Sequence, residues 1–161
     1  MRADHLWERA KNVVIRTGPE ITGGFDIGFD DKIPAQVREE ITSFVRWVEG
    51  NFSIPVTLWV DLEYKHYLIS RDKRHVGYLF YWADHKDYPE FLDKEDIPEI
   101  RLPVRTERWT IEEILTSFIE AISMYFYWIL NEIDQFDSPD EDEVEEVLRA
   151  YLDSNGSESA S

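Results

Sequence analysis

The sequence predicts a single α+β domain, in which helices and strands form separate blocks along the chain. Three patterns indicate this class: apolar residues recur at helical spacing over 34–49, alternate with polar residues over 56–62, and cover one wide helical face over 109–132. A chain of 161 residues is long enough for one sizeable core and too short for two. We therefore expect one domain over residues 1–153 and an unstructured tail over 154–161.

The first predicted helix covers residues 34–49. Pro34 suits the first turn of a helix, and Gly50 follows the last apolar residue. Over residues 56–62 the apolar spacing changes to strict alternation, which is typical of a strand with one buried face. Two further segments are weaker strand candidates because glycines lie beside or within them: 13–15 and 25–29.

The middle of the chain predicts a small sheet. Residues 66–82 have the pattern of an antiparallel hairpin around the charged run 71–74, and the polar stretch 83–98 is predicted to be a long loop. A further strand is predicted over 99–104, where Pro103 favours a sheet edge or a strand end. We therefore expect a mostly antiparallel sheet with 99–104 as an edge strand.

The longest predicted element is a central helix over 109–132. Thr110 and Glu113 have the spacing of a capping box at its start. At about 1.5 Å per residue this helix is about 35 Å long, enough to cross the domain. A final helix is predicted to begin at Ser138 and Pro139. Its expected buried residues are Val144, Val147, Leu148, Tyr151 and Leu152.

Composition excludes several classes of function. The chain has 17 basic and 34 acidic residues, a net charge of −17, which repels a phosphate backbone and an anionic membrane. We therefore expect neither nucleic-acid nor membrane binding. The 6 Trp, 8 Tyr and 9 Phe require burial, so the chain is not a disordered acidic polymer. The absence of Cys excludes disulfides and thiolate metal sites and fits a cytoplasmic protein, as does a start without an apolar signal stretch.

The stretch from Leu115 to Trp128 resembles the central helix of the minimal zincin-type metallopeptidases, the gluzincins. In that family the helix reads roughly Leu-x-Ser-x-x-His-Glu-x-x-His-Tyr-x-x-Trp. The match places Glu120 at the first His, Ala121 at the general-base Glu and Met124 at the second His. The resemblance implies a zincin-like fold, with an edge strand packed on the central helix. It also implies a final helix that supplies a Glu ligand, and here the corresponding positions are Glu143 and Glu146.

The residues at these positions do not support zinc hydrolysis. Two His side chains one turn apart hold the zinc ion, and the Glu between them takes a proton from the bound water. Ala121 has no proton acceptor, and the thioether of Met124 is a poor zinc ligand. Shifting the register by one residue makes Glu120 the base but puts Ile119 and Ser123 at the His positions. Both registers predict an inactive enzyme, so no cofactor is expected.

The resemblance therefore predicts a pseudoenzyme that binds a protein or peptide. In catalytic relatives the edge strand lines the substrate cleft, which makes 99–104 the candidate surface for an extended partner segment. Two alternatives stay open. One is an acidic interaction module for a basic partner. The other is a hydrolase with a carboxylate metal site, in which Glu120 meets an acid near Glu143. The partner and the oligomeric state stay open as well.

The histidines form a weaker candidate group. Two of them flank the predicted hairpin turn and a third follows it, which permits a metal-binding or pH-sensing cluster. The favoured interpretation is that they are exposed side chains around a charged turn. The four histidines are His5, His66, His75 and His85.

Overall fold

The computed structural model describes residues 5–13, 22–82, 97–135 and 138–160, with side chains up to residue 155 in the last range. Four α-helices and six strands occur in this part of the chain, which confirms the α+β composition. In chain order they are α1 (Leu6–Ala10), β1 (Phe25–Phe29), α2 (Ala35–Asn51), β2 (Leu58–Glu63), β3 (Leu68–Ile69), β4 (His75–Val76), β5 (Leu79–Tyr81), β6 (Glu99–Pro103), α3 (Ile111–Ile129) and α4 (Glu141–Ala160). A short 3-10 helix, Ile133–Gln135, lies between α3 and α4.

The main sheet has the strand order β1-β2-β6-β5. Strands β1, β2 and β6 are parallel, and β5 runs antiparallel to β6. The prediction of a mostly antiparallel sheet is therefore wrong. Its physical reason is the helix α2, which carries the chain from the end of β1 back to the start of β2 and so makes the two strands parallel.

The prediction that residues 99–104 form an edge strand is also wrong. Strand β6 lies between β2 and β5, so its backbone is paired on both sides. Pro103 is the last residue of the strand. A strand end tolerates proline as a sheet edge does, because the missing N–H is not needed for pairing there. The short strand β5 forms the edge instead, because the chain leaves the hairpin after Val76 and runs back along β6.

The predicted hairpin is confirmed but is shorter than expected. Strands β3 and β4 pair antiparallel with Leu68 opposite Val76. Gly77 then passes close to helix α3, and a Cβ atom at this position would lie 2.9 Å from the Ser117 Oγ atom. This close approach separates β4 from β5, so the stretch 75–82 is two strands in two sheets. Most of the predicted 83–98 loop, and residues 14–15 of the first strand candidate, lie outside the described residues.

Strand β1 confirms the candidate over residues 25–29. The glycines that weaken its prediction lie mainly before the strand. Gly23 has a φ of +81°, and a Cβ atom there would lie 2.6 Å from the Ile54 carbonyl oxygen. The glycine therefore allows the turn that brings the chain beside Leu58, whose N–H donates to the Gly24 carbonyl.

The core lies between one face of the sheet and the helices. Along β2 the side chains of Leu58, Val60 and Leu62 are buried, and those of Trp59 and Asp61 are exposed, as the alternation predicts. Helices α2 and α3 pack on the buried face. The central helix is more deeply enclosed than one apolar face predicts, because every residue from Ala121 to Ile129 is buried.

The two longest helices begin at different kinds of cap. The predicted capping box of α3 is confirmed, since Thr110 Oγ1 accepts from the Glu113 N–H and the Glu113 carboxylate accepts from the Thr110 N–H. Helix α4 is capped by Asp140 rather than Ser138. The Asp140 Oδ1 atom accepts from the N–H of Asp142 at 2.9 Å, and aspartate is as favourable as serine at this position.

Helix α4 is also longer than predicted. It continues to Ala160 and so includes residues 154–160, which the sequence assigns to an unstructured tail. Val144, Val147 and Tyr151 anchor its first half in the core, and no proline follows them to end the helix. None of the helices in the described ranges combines the length and apolar character needed to cross a lipid bilayer.

We expect Tyr125→Phe to lower the free energy of unfolding by about 1–3 kcal/mol. The buried Tyr125 hydroxyl donates to the Val56 carbonyl at 2.6 Å and accepts from the Val56 N–H at 3.0 Å, so the variant leaves both backbone groups without it. Urea unfolding followed by tryptophan fluorescence measures the change. Tyr67→Phe is the control, because the Tyr67 ring is exposed. A loss for Tyr125→Phe no larger than that of the control would contradict the prediction.

Candidate functional site

The structure does not bring the three zincin-motif positions to one cavity. Ala121 is completely buried and Met124 is 8% exposed. Glu120 is half-buried and lines a cavity of about 500 Å³ between α3 and α4. Ala121 and Met124 are not among the residues that line it. The motif face is therefore mostly core, and only Glu120 reaches a space that a ligand can enter.

The cavity between α3 and α4 is acidic. Four glutamates line it, together with an apolar floor and Arg149, which pairs with Glu145 at 3.3 Å. Burial, and then the nearby charge of Glu141, raises the pKa of the Glu120 carboxyl. Burial, and then the charge of Glu120, raises the pKa of Tyr78 to about 12. The four glutamates are Glu112, Glu120, Glu141 and Glu145.

The two candidate third-ligand positions on α4 face the N-terminal helix α1. Glu143 is 6% exposed, and its Oε1 atom accepts a hydrogen bond from the Trp7 backbone N–H at 3.0 Å. Burial raises the pKa of Glu143, while the bond from Trp7 opposes the rise. The Glu146 carboxylate lies 3.0 Å from His5 Nδ1. The neighbour of Glu120 on α4 is thus Glu141, and Glu143 is engaged elsewhere.

Helix α1 is the element that sequence reasoning missed at this place. The Trp7 ring is fully buried, packs edge-on against Phe52 and Phe126, and donates from Nε1 to the Ser123 hydroxyl at 2.9 Å. The signal was present in the first ten residues, because Leu6, Trp7 and Ala10 share one helical face. Ser123, at a histidine position of the alternative register, therefore serves to hold this tryptophan.

The histidines do not form a cluster in the described part of the chain. His75 stacks on the Tyr67 ring with the centroids 3.6 Å apart, and the His66 carbonyl accepts from Trp109 Nε1 at 2.6 Å. His5 lies at α1 beside Glu146, and His85 is outside the described residues. Across the described ranges, no group of three or more His, Asp or Glu side chains is arranged to hold a metal ion.

The most exposed apolar side chains gather at another place. All large hydrophobic residues described as exposed belong to the hairpin, to the edge strand β5 and the residue after it, or to the sheet face opposite the helices. Trp59 and Tyr81 share one row of that face, since both lie opposite Glu99 in the strand register. We call this set the aromatic surface: Trp59, Tyr67, Ile69, Tyr81 and Trp82.

A cavity of about 540 Å³ lies beside the aromatic surface, between the hairpin and the ends of β2 and β6. We call it the basic cavity, because Lys65, Arg101 and Arg105 line it against the single acid Glu63. Its position at the carboxyl ends of parallel strands is where open α/β sheets commonly bind ligands. Its apolar lining comes from Tyr64, Tyr67, Leu68, Ile69, Leu79 and Tyr81.

Aromatic rings hold the two arginines of the basic cavity. The Arg101 guanidinium lies 5.6 Å from the Tyr81 ring centroid, and the Arg105 guanidinium lies 5.0 Å from that of Tyr64. Each arginine also has an acidic neighbour, Glu99 at 3.4 Å for Arg101 and Glu107 at 2.6 Å for Arg105. These contacts orient the guanidinium groups, and both arginines remain exposed enough to meet a ligand.

Comparison of the chain with protein-family models, with curated proteins and with solved structures found no match. The resemblance to the zincin-type metallopeptidases therefore rests on the residues of the central helix and stays a prediction.

We expect Glu120→Gln to raise the free energy of unfolding at pH 7 by up to about 1 kcal/mol, a figure kept small because the half-exposed carboxyl is screened by solvent. The pKa of Glu120 is raised in the folded state, so the charged form destabilises the fold at neutral pH. This penalty is absent below the ordinary pKa of 4.5, grows as the pH rises from 4.5 towards the raised pKa of the folded state, and is complete above it.

Urea unfolding at pH 7 and at about pH 4 measures this effect. Glu145→Gln is the matched control, because Glu145 is exposed and pairs with Arg149. The gain for Glu120→Gln should vanish at the lower pH. An equal gain at both pH values would show that the charge of Glu120 is not its cause.

Proposed function

We propose that the protein binds an extended segment of a partner protein along the edge strand β5, with the aromatic surface as the main contact. It rests on the exposed large apolar side chains of the described residues, which lie around this edge. Tyr67, Ile69 and Tyr81 line one cavity beside β5. Trp82 stacks on Phe80 and so lies on the other face of the strand. Clustered exposed apolar groups mark interaction sites, whereas single ones are normal on any protein. Trp and Tyr are also the residues most enriched at the energetic centres of interfaces.

The backbone of β5 offers the second part of the binding site. In the described sheet β5 pairs only with β6, so the N–H and C=O groups on its outer side face no strand among the described residues. An extended segment can add to such an edge through main-chain hydrogen bonds. Because β5 has only three residues, these bonds are few, and the affinity must come mainly from the side chains of Tyr81 and Trp82.

The resemblance of the central helix supports the same place. In the metallopeptidases that it resembles, the edge strand lines the substrate cleft. Here the residue before β5, Tyr78, lies close enough to Glu120 for the two to interact electrostatically. Peptide binding is retained and hydrolysis is lost, because Ala121 occupies the position of the general base. We accordingly propose a pseudoenzyme that holds a peptide without hydrolysing it.

The acidic cavity between α3 and α4 favours a second candidate function. Its four glutamates surround a floor formed by Val144, Leu148 and Leu152. A basic amphipathic segment is the partner that such a groove would take. The two candidates differ in place and in charge, so one selection experiment separates them.

We expect a random dodecapeptide library, selected on the immobilised full-length chain, to yield peptides that bind in an extended conformation. The best peptide is then synthesised with N-methyl groups on alternate residues, in both possible phases. Since a strand uses the N–H groups of alternate residues, one phase should abolish binding and the other should preserve it. Fluorescence anisotropy measures the affinities.

Protein variants locate the site. Tyr81→Ala and Trp82→Ala should each weaken the peptide about tenfold or more, as truncation of a central aromatic contact usually does. Leu148→Ala, in the cavity between α3 and α4, is the control and should leave the affinity unchanged. A different result would favour the second candidate and overturn the first. In that case the selected peptides are rich in Lys and Arg, bind Glu120→Gln more weakly than the unsubstituted protein, and bind Trp82→Ala as tightly as the unsubstituted protein.

A further inference from the structure

We propose that the segment bound at β5 carries an acidic residue, and that the basic cavity binds its carboxylate through Arg101 and Arg105. This inference rests on the proposed function and names the chemistry of the partner. The cavity opens beside the edge strand, since Leu79 and Tyr81 of β5 belong to its lining. A side chain of a segment added to β5 can therefore reach it.

The cations of the cavity suit a carboxylate better than any other common side chain. Arginine presents a planar fork of donors that matches a carboxylate in two parallel hydrogen bonds. The rings of Tyr81 and Tyr64 hold the two guanidinium groups, so little side-chain entropy is lost when they bind. Burial lowers the pKa of Arg101, but the charges of Glu99 and Glu63 outweigh it and raise that pKa, while the hydrogen bond to Glu107 raises the pKa of Arg105. Both side chains are charged at neutral pH, as arginine is in proteins generally.

The hairpin side of the cavity differs in charge from the rest of the chain. Residues 63–82 contain four basic and two acidic residues, whereas the whole chain has a net charge of −17. Only one of these four, Lys65, lines the cavity, and it pairs with Glu63. Arg101 and Arg105 each have a glutamate neighbour as well. Recognition of a carboxylate here therefore depends on the donor geometry of the two guanidinium groups and not on an excess of positive charge.

Glu63 lines the same cavity. Its Oε1 atom pairs with Lys65 at 3.1 Å, while its Oε2 atom is buried and has no hydrogen-bond partner among the described residues. Because this oxygen is buried, a bound segment does not reach it directly, and Glu63 acts in the cavity as the counter-ion of Lys65. The donors for a carboxylate are therefore Arg101 and Arg105.

The test uses the tightest dodecapeptide from the library selection. In the selected peptides we expect Asp or Glu at a constant distance from the residues at which N-methylation abolishes binding. Replacement of that Asp or Glu by Asn or Gln should weaken binding about tenfold. On Arg101→Gln or Arg105→Gln protein the acidic and amide peptides should bind equally, because the partner of the carboxylate is gone. Arg101→Lys should retain a partial preference for the acidic peptide.

Arg46→Gln is the matched control, since it removes the same charge from an exposed position of α2 and should leave the acid preference intact. Two results would overturn this inference and leave the proposed function standing. In the first, the selected peptides need the alternate N–H groups for binding but have no Asp or Glu at a constant position. In the second, the acidic peptide still binds more tightly than the amide peptide to both Arg101→Gln and Arg105→Gln. A third result would overturn the proposed function itself. In that case binding requires the peptide carboxylate and Arg101, but it does not depend on the alternate N–H groups of the peptide or on Trp82, so the segment does not add to β5 as a strand.

Discussion

Helix α3 is enclosed by the other parts of the core. From Ala121 to Ile129 every side chain is buried, so the sheet and the other three helices all pack around one helix. Its polar atoms must find partners inside the protein. The Tyr125 hydroxyl pairs with both backbone groups of Val56, and the Ser123 hydroxyl accepts from Trp7. These bonds tie the segment before β2 and the N-terminal helix to the same core.

That enclosure also explains why the zincin-motif positions are poor candidates for chemistry. A catalytic group must reach a space that a substrate can enter, and Ala121 and Met124 do not. Glu120 does, but its carboxyl lies near Glu141 and Tyr78 rather than near a cation, and its raised pKa reflects this environment. The acids of α4 that the resemblance suggests as ligands contribute to holding α1 instead, through Trp7 and His5.

The exposed aromatic side chains and the basic cavity lie at the periphery of the sheet, away from the buried part of the central helix. The close approach of Gly77 to Ser117 directs the chain out of the hairpin and into β5, which moves the sheet edge from β6 to a strand flanked by aromatic residues. The same connection places the hairpin over the ends of β2 and β6, where it completes the basic cavity. Within the described residues, one turn of the chain thus joins an unpaired strand edge, exposed rings and the two arginines of the basic cavity.

Elements whose signal is local could be predicted from the amino-acid sequence. The helical spacing in α2 and α3, the capping box at Thr110 and the alternation along β2 depend on neighbours within a few residues, and all are confirmed. The order of the strands, by contrast, depends on contacts between distant parts of the chain. For this reason β6 lies inside the sheet and β5, not residues 99–104, forms its edge. The partners of Glu143 and Ser123 depend on such contacts as well, because Trp7 is more than a hundred residues distant from both. Pairing over such distances depends on how the helices pack around α3, and no short-range pattern contains that information.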